Sequence, residues 1–243
     1  MNTHTVFDLV AWASGALIGY VVRRRYLSAG APSGFRLSQH PAYIIAVALC
    51  AGAGALLAGG GNMALAGLPP LGHSIAGAIA GGIIGAEGYK LAHGIKGSTG
   101  LVFVAPLATG IAIGRWGCFL SGLPDYTYGI PTGLPWGVDF GDGIPRHPVQ
   151  LYESFAILGF LIWFIVQCER RSLLVLRSGF HLLVGFYALQ RFCWEFLKPY
   201  PTVLGPFNMF HFLMVALFAY SLWMFWGEQR RHEQASRAQA RAA

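Results

Sequence analysis

Charge is what this chain has least of. Only 11% of its 243 residues are Asp, Glu, Lys or Arg, where a soluble domain carries about 25%. That shortage excludes an ordinary water-soluble globular domain. Disulfide and metal frameworks are missing as well. The four cysteines (Cys50, Cys118, Cys168, Cys193) fall in or beside apolar runs, without paired ligand spacing. No two of the eight histidines share a helical ligand spacing either, so no metal site is expected. The opening "MNTHTVFDLVAWASGALIGYVV" lacks a positive n-region, and its charges come afterwards, so no cleavable signal peptide is expected. The net charge of +7 is not spread along a soluble face. It therefore reads as a topology signal, and no nucleic-acid partner is expected.

What is abundant is apolar surface. The hydrophobic fraction is 55%, with 33 glycines, and Gly is commoner in membrane helices than in soluble ones. Seven apolar stretches stand out, at 5–22, 41–60, 72–93, 99–121, 149–168, 178–197 and 206–227. A helix rises about 1.5 Å per residue and the hydrocarbon is about 30 Å thick, so each stretch is long enough to cross. Lipid offers no partner to unpaired backbone groups, so the spans must be helical. The expected fold is all-α: a polytopic membrane protein of about seven transmembrane helices. One membrane domain is expected over 1–227 and a basic tail over 228–243.

The basic residues orient it. Arg23–Arg25 and Arg36 follow the first span, Lys90 and Lys96 the third, and Arg170, Arg171 and Arg177 the fifth. Arg230, Arg231, Arg237 and Arg241 follow the seventh. All fall on one side of an alternating seven-span arrangement. The positive-inside rule makes that side cytoplasmic and puts the N-terminus outside. Four cations are left over, Arg115, Arg146, Arg191 and Lys198, at or near the outer ends of spans. The one long loop, 122–148, lies on that side too. It is rich in Pro, Gly and aromatics, and its "PWGVDFGDG" can form a short surface hairpin. In the third span, "IAGAIAGGIIGAEG" repeats small residues at helical spacing and reads as close helix packing. Glu87 and Lys90, at i and i+3, read as a local ion pair.

Three segments carry the chemistry. In "YALQRFCWEF", Tyr187, Arg191 and Glu195 share one helix face. Charge inside a span is costly unless paired or wet and usually marks a functional site. The plainer alternative is an Arg–Glu pair that pins two helices. In "GRWGCF", Arg115 is a second cation at the same depth. A single Arg there can simply snorkel to the interface, but two guanidinium forks suit a phosphate. In "RHPVQLYE", His147, Gln150, Tyr152 and Glu153 straddle a loop-to-helix junction, with Pro148 suited to the first turn. His147 is either a hydrogen-bonded junction residue or a catalytic one.

Taken in that order, "GRWGCF", "RHPVQLYE" and "YALQRFCWEF" resemble the bacterial prolipoprotein diacylglyceryl transferases over most of the chain. The resemblance implies seven membrane helices and an outside N-terminus, in the bacterial inner membrane. It implies transfer of the diacylglyceryl group of phosphatidylglycerol to the lipobox cysteine of a precursor protein, releasing glycerol 1-phosphate, with no cofactor. Arg191 and Glu195 would be catalytic, with His147 or His73 as base. Arg115, Tyr187, Cys118, Gly117, Gly129, Arg146, Gln150, Tyr152 and Glu153 would face the substrate. The chain departs from the family pattern at several places. Cys118 replaces an Asn, Ser121 a second Asn and Leu123 a Glu, with Asp125 close by. Ala76 stands where the family has a His, and His73 lies three residues earlier. The family's Trp-Tyr-Gly of the first span is also absent, with "VFDLVAW" in its place. The departures point to a divergent branch. Two other readings follow from them: a paralogue that binds anionic phospholipid without transfer, or a transferase with another acceptor. Cys118 itself reads as a packed thiol or as a covalent relay beside Arg115.

Overall fold

A computed structural model describes residues 3–27 and 39–242. Seven helices form: α1 (Thr3–Tyr26), α2 (Pro41–Leu65), α3 (Ile75–Ala92), α4 (Val104–Ser121), α5 (Val149–Glu169), α6 (Leu173–Glu195) and α7 (Met209–Ala242). Six of these elements are long and apolar enough to cross a membrane. The third is not among them, because its 18 residues include Glu87 and Lys90. The chain is an all-α multi-pass membrane protein. Several boundaries differ from the sequence reading. α6 starts at Leu173 rather than 178, and α7 runs on through the basic tail as one helix. Arg36, counted among the orienting charges, lies outside the described residues.

α4 lies between α1 and α5, and α6 between α5 and α7. Val104, Ala105, Ala108 and Ile111 of α4 pack into the core with Ile157, Phe164, Leu183 and Val184. α2 and α3 form a second tight pair. A Cβ at Gly77 would collide with the Gly54 carbonyl, and one at Gly81 with the Cys50 carbonyl. The small residues of "IAGAIAGGIIGAEG" thus let two backbones touch, as the spacing suggested. Ser74 caps α3 by accepting from the Gly77 N–H at 3.2 Å. Asn208 caps α7, its Oδ1 accepting from the Phe210 and His211 N–H groups at 2.9 and 3.2 Å.

The bundle has two distinct ends. Arg25 meets Glu169 at 3.4 Å at the basic end, where α1 and α5 finish. Lys90 pairs there with Glu87 at 2.9 Å, as expected. The pair is not purely local, because Tyr220 of α7 also donates to Glu87 at 2.9 Å. The opposite end holds the 122–148 loop. Its expected hairpin is present: β1 (Val138–Asp139) pairs antiparallel with β2 (Pro145–Arg146). Asp139 Oδ1 closes the turn by accepting from the Gly141, Asp142 and Gly143 N–H groups at 2.8–3.1 Å. A second hairpin, β3 (Thr202–Leu204) with β4 (Phe207–Asn208), joins α6 to α7. Gly205 at its tip has φ +55°, the left-handed conformation such a turn favours in glycine.

Candidate active site

At the loop end, α4, α5 and α6 bring charged side chains to one buried point. Glu153, one turn into α5, is its centre and is fully buried. Arg191 Nη1 reaches the two Glu153 oxygens at 2.5 and 2.6 Å. Arg115 Nε reaches Oε2 at 2.7 Å and Lys198 Nζ reaches Oε1 at 2.8 Å. Glu195, one helical turn past Arg191, takes its Nε at 2.5 Å. Asn208 fixes the other Glu195 oxygen by donating to it at 3.1 Å. The capping residue of α7 therefore also orients the second carboxylate. Phe210 lies against the Arg191 guanidinium, 5.7 Å from ring centre to carbon.

Arg115, Arg191, Lys198, Glu153 and Glu195 together carry one unbalanced positive charge. All five are buried, none more than 4% exposed. A group of this kind is stable only if each member keeps its partner or a ligand completes it. Lys198 lies just beyond α6, with its ammonium 5.5 Å from the Tyr200 ring centre. Burial and the neighbouring Arg191 charge push its ammonium down to about 8, despite the carboxylates. Tyr187 lies fully buried on the same face of α6, and its hydroxyl finds no hydrogen-bond partner among the described residues. Gln150 is similar: its amide N–H₂ donates to Thr127 at 3.3 Å, while its buried Oε1 has no such partner. Unfilled acceptors and donors at one buried point suit a polar ligand.

Other residues singled out in the sequence stand apart from this point. Arg146 does not join the cations. It forms a two-pronged pair with Asp142 at 2.6 and 2.7 Å within the β1–β2 turn, and lies 5.2 Å from the Tyr128 ring centre. That hydrogen bond holds the Asp142 carboxyl below its usual range. Position along the chain groups Arg146 with the cluster. The hairpin instead gives it a neighbour four residues away, and local closure wins. His147 Nδ1 lies 3.3 Å from the Tyr152 hydroxyl, which accepts from Trp136 Nε1 at 2.8 Å. Gly129 packs against the His147 backbone where a Cβ would not fit, and Gly117 against Phe7. His73 is exposed in the segment before α3. No hydrogen bond or ion pair joins His147 or His73 to the cluster among the described residues. Ala76 is buried, at 1% exposure.

Cys118 has unexpected neighbours. It lies one turn past Arg115, with Sγ 4.0 Å from Arg115 Nη1. His4 of α1 places Nε2 3.7 Å from that sulfur and 3.3 Å from Asp125 Oδ1. Asp125 gets there because Gly122 (φ +66°) ends α4 and a 3-10 turn, Leu123–Asp125, folds back over it. Burial would raise its carboxyl, but hydrogen bonds from His4 and Thr127 hold it below its usual range. By sequence position His4 is one of several loop and tail histidines. The signal was weak, since His4 and Cys118 are 114 residues apart.

Two cavities lie deeper. One of about 620 Å³ runs between α5, α6 and α7, lined by Phe155, Phe160, Trp163, Phe186, Leu189 and Phe218. It is apolar, as lipid tails require. A smaller one, about 110 Å³, sits towards the basic end among Tyr43, Glu87, Thr99, His181 and Tyr220.

Comparisons with known proteins identify the family. The chain is 36% identical over 127 residues to the phosphatidylglycerol–prolipoprotein diacylglyceryl transferase of Geobacter sulfurreducens, covering 49% of this chain and 47% of that protein. The enzyme of that name from Nitrosomonas europaea is 39% identical over 110 residues, 42% of this chain and 37% of its own. That from Clostridioides difficile is 33% identical over 141 residues, 57% of this chain and 54% of its own. The chain thus spans about half or less of the length of the curated relatives it matches. No solved structure matches it. The family model described as prolipoprotein diacylglyceryl transferase matches residues 1–227, nearly the whole chain and all the helices that meet at Glu153, so the chain belongs to that family.

Proposed function

We propose that this protein transfers the diacylglyceryl group of phosphatidylglycerol to the thiol of a lipobox cysteine in a precursor protein. The observation that carries the reading is the buried surplus of cations around Glu153 at the loop end of a membrane bundle. Such a group calls for one more anion, and a phospholipid phosphate is the anion a bilayer supplies. The Arg115 and Arg191 forks suit two phosphate oxygens, and Lys198 adds a point charge. Glu153 and Glu195 hold the guanidinium planes in place, which lowers the reorganisation needed when a ligand binds. The acyl tails fit the apolar groove between α5, α6 and α7. On this reading the loop end faces outwards, in the bacterial inner membrane, and the basic tail faces the cytoplasm.

In the transfer, the acceptor sulfur attacks the carbon of the diacylglycerol that carries the phosphate oxygen. A carbon–sulfur bond forms and the carbon–oxygen bond breaks. The electron pair goes to the phosphate oxygen, whose new negative charge the three cations stabilise. The thiol proton must go to a base first or at the same time. His147, in the "RHPVQLYE" motif, and His73, three residues before Ala76, are the candidates, and Tyr187 positions the headgroup. The test is the mass of a lipobox peptide after incubation with the purified protein in phosphatidylglycerol proteoliposomes. Gain of one diacylglyceryl group, absent with phosphatidylcholine and absent in Arg115→Ala, supports the reading. An unmodified peptide together with tight retention of phosphatidylglycerol would make the protein a binder of anionic lipid.

A further inference from the structure

The family's His is Ala76 here, buried at 1% exposure, so the acceptor thiol lacks one activating group. A different set of residues stands beside the phosphate site. We propose that His4, Cys118 and Asp125 form a zinc-type metal site with an open fourth position that takes the sulfur of an acceptor thiol. The occupant of that fourth position rests on the transferase reading; the metal site itself does not.

The geometry carries it. One ligand atom from each of the three residues lies within 4.8 Å of the others. Tetrahedral zinc has bonds of about 2.3 Å to sulfur and about 2.0–2.2 Å to nitrogen and oxygen. Those lengths put sulfur and nitrogen about 3.6 Å apart, and nitrogen and oxygen about 3.4 Å apart. His4 Nε2 lies 3.7 Å from Cys118 Sγ and 3.3 Å from Asp125 Oδ1. The outer partner is in place too. His4 Nδ1 meets Asp8 Oδ2 at 2.8 Å, one turn along α1. A carboxylate on the far nitrogen orients the ring, and a metal ion would take the place of the Nε2 proton that Asp125 accepts in the metal-free protein. Without a proton or a metal, the Nε2 lone pair would face the Asp125 carboxylate across 3.3 Å, which is repulsive.

The charges fit as well. A thiolate and a carboxylate neutralise a dication, with a neutral imidazole as third ligand. The mixed sulfur, nitrogen and oxygen set suits zinc, a borderline-soft ion, better than magnesium or calcium, which take oxygen. Arg115 Nη1 lies 4.0 Å from Sγ, so the site adjoins the cation cluster. Three protein ligands and one open position are the pattern of a reactive zinc rather than a structural one. His4 is 39% exposed at its side chain and Asp125 14%, so the fourth position is reachable from the loop end.

A thiol that enters that position loses its proton to solvent or base and binds as thiolate. It then lies one guanidinium away from the cations that hold the phosphate. Its sulfur attacks the carbon of the diacylglycerol that carries the phosphate oxygen, the carbon–oxygen bond breaks with its pair going to the phosphate, and the neutral thioether product is a weak ligand that leaves.

The test uses the full chain in nanodiscs, stripped with a chelator and titrated with cobalt(II) as a spectroscopic stand-in. The expected result is one cobalt per chain with tetrahedral visible absorption and a sulfur-to-cobalt band in the near ultraviolet. That band should vanish in Cys118→Ser. His4→Ala and Asp125→Asn should each weaken binding at least about tenfold, and Asp8→Asn about 10–100-fold. Unmutated protein gives a second readout that does not depend on variants folding: zinc, and not magnesium, should slow maleimide labelling of Cys118 with the exposed Cys193 as internal reference. No sulfur–cobalt band, a band that persists in Cys118→Ser, or labelling unaffected by zinc would each overturn the metal site. A lipobox peptide should shift the cobalt spectrum and its Cys→Ser version should not. Equal effects of the two peptides would refute thiol binding at the fourth position. None of these readouts uses transfer, so failure here leaves the transferase reading standing, and a failure of transfer leaves the metal site standing.

Discussion

Replacing Glu153 by Gln removes one charge and almost no volume. In the native protein that carboxylate sits 2.5–2.8 Å from nitrogens of Arg115, Arg191 and Lys198. The neutral amide would leave Glu195 alone against three buried cations, raising the surplus from one charge to two. Breaking a buried ion pair by removing one partner costs about 3–5 kcal/mol. For a chain of this length that lowers the unfolding midpoint by roughly 10 °C. A ligand anion should matter more once the surplus has doubled. Thermal unfolding in nanodiscs of phosphatidylcholine, with and without phosphatidylglycerol, reads both effects. The variant should melt well below the native protein in the zwitterionic lipid, and the anionic lipid should raise its midpoint by more than it raises the native one. A loss under about 1 kcal/mol, well short of the range for a broken buried pair, would refute the argument that Glu153 holds the cluster. Equal stabilisation of both proteins by the anionic lipid would refute the argument that an anion completes it.

Further expectations follow from the same geometry. Arg191→Lys keeps the charge but cannot reach Glu153 and Glu195 at once, so transfer should fall at least about tenfold, measured as lipidated peptide per minute. Lys198 is charged below about 8 and neutral above it, so phosphatidylglycerol retention should weaken as pH rises through 8 and be flat in Lys198→Met. An unfolded chain keeps that proton up to the ordinary 10.5, so unfolding takes up a proton between about 8 and 10.5. The lipid-free protein should therefore gain stability with pH across that window, and chemical unfolding at either end of it measures the gain. Gly81→Leu drives a side chain into the Cys50 carbonyl and should cost about 1–3 kcal/mol by forcing α2 and α3 apart, read from the same melting curves.

Some of this was legible in the residues alone. Long apolar runs give spans because lipid leaves the backbone no other partner, and the loop hairpin was suggested by the Pro- and Gly-rich "PWGVDFGDG". Tyr187, Arg191 and Glu195 share a helix face whatever the fold, so their alignment could be read directly. The central role of Glu153 could not. It depends on α4, α5 and α6 meeting at one depth, which is a matter of tertiary packing. Lys198 was marked only as a leftover cation; its partners are Glu153 of α5 and Glu195 of α6, met where the chain leaves α6 for the β3–β4 hairpin. Asn208 acts through that same hairpin, as helix cap and as partner of Glu195. Arg146, grouped by position with the other outer cations, is instead paired with Asp142 by a local turn. The His4–Cys118–Asp125 group was invisible because ligand spacing is searched along one helix, and these three come from a helix start, a helix end and a turn.

The central claim is most directly tested by coupling. Proteoliposomes with phosphatidylglycerol labelled in its terminal glycerol are mixed with a lipobox peptide, and released glycerol phosphate and peptide thioether are counted together. The account predicts equal amounts of both, release that requires the peptide thiol, and loss of both in Arg191→Ala. Release of glycerol phosphate without thioether, or thioether formation undiminished in Arg191→Ala, would contradict it.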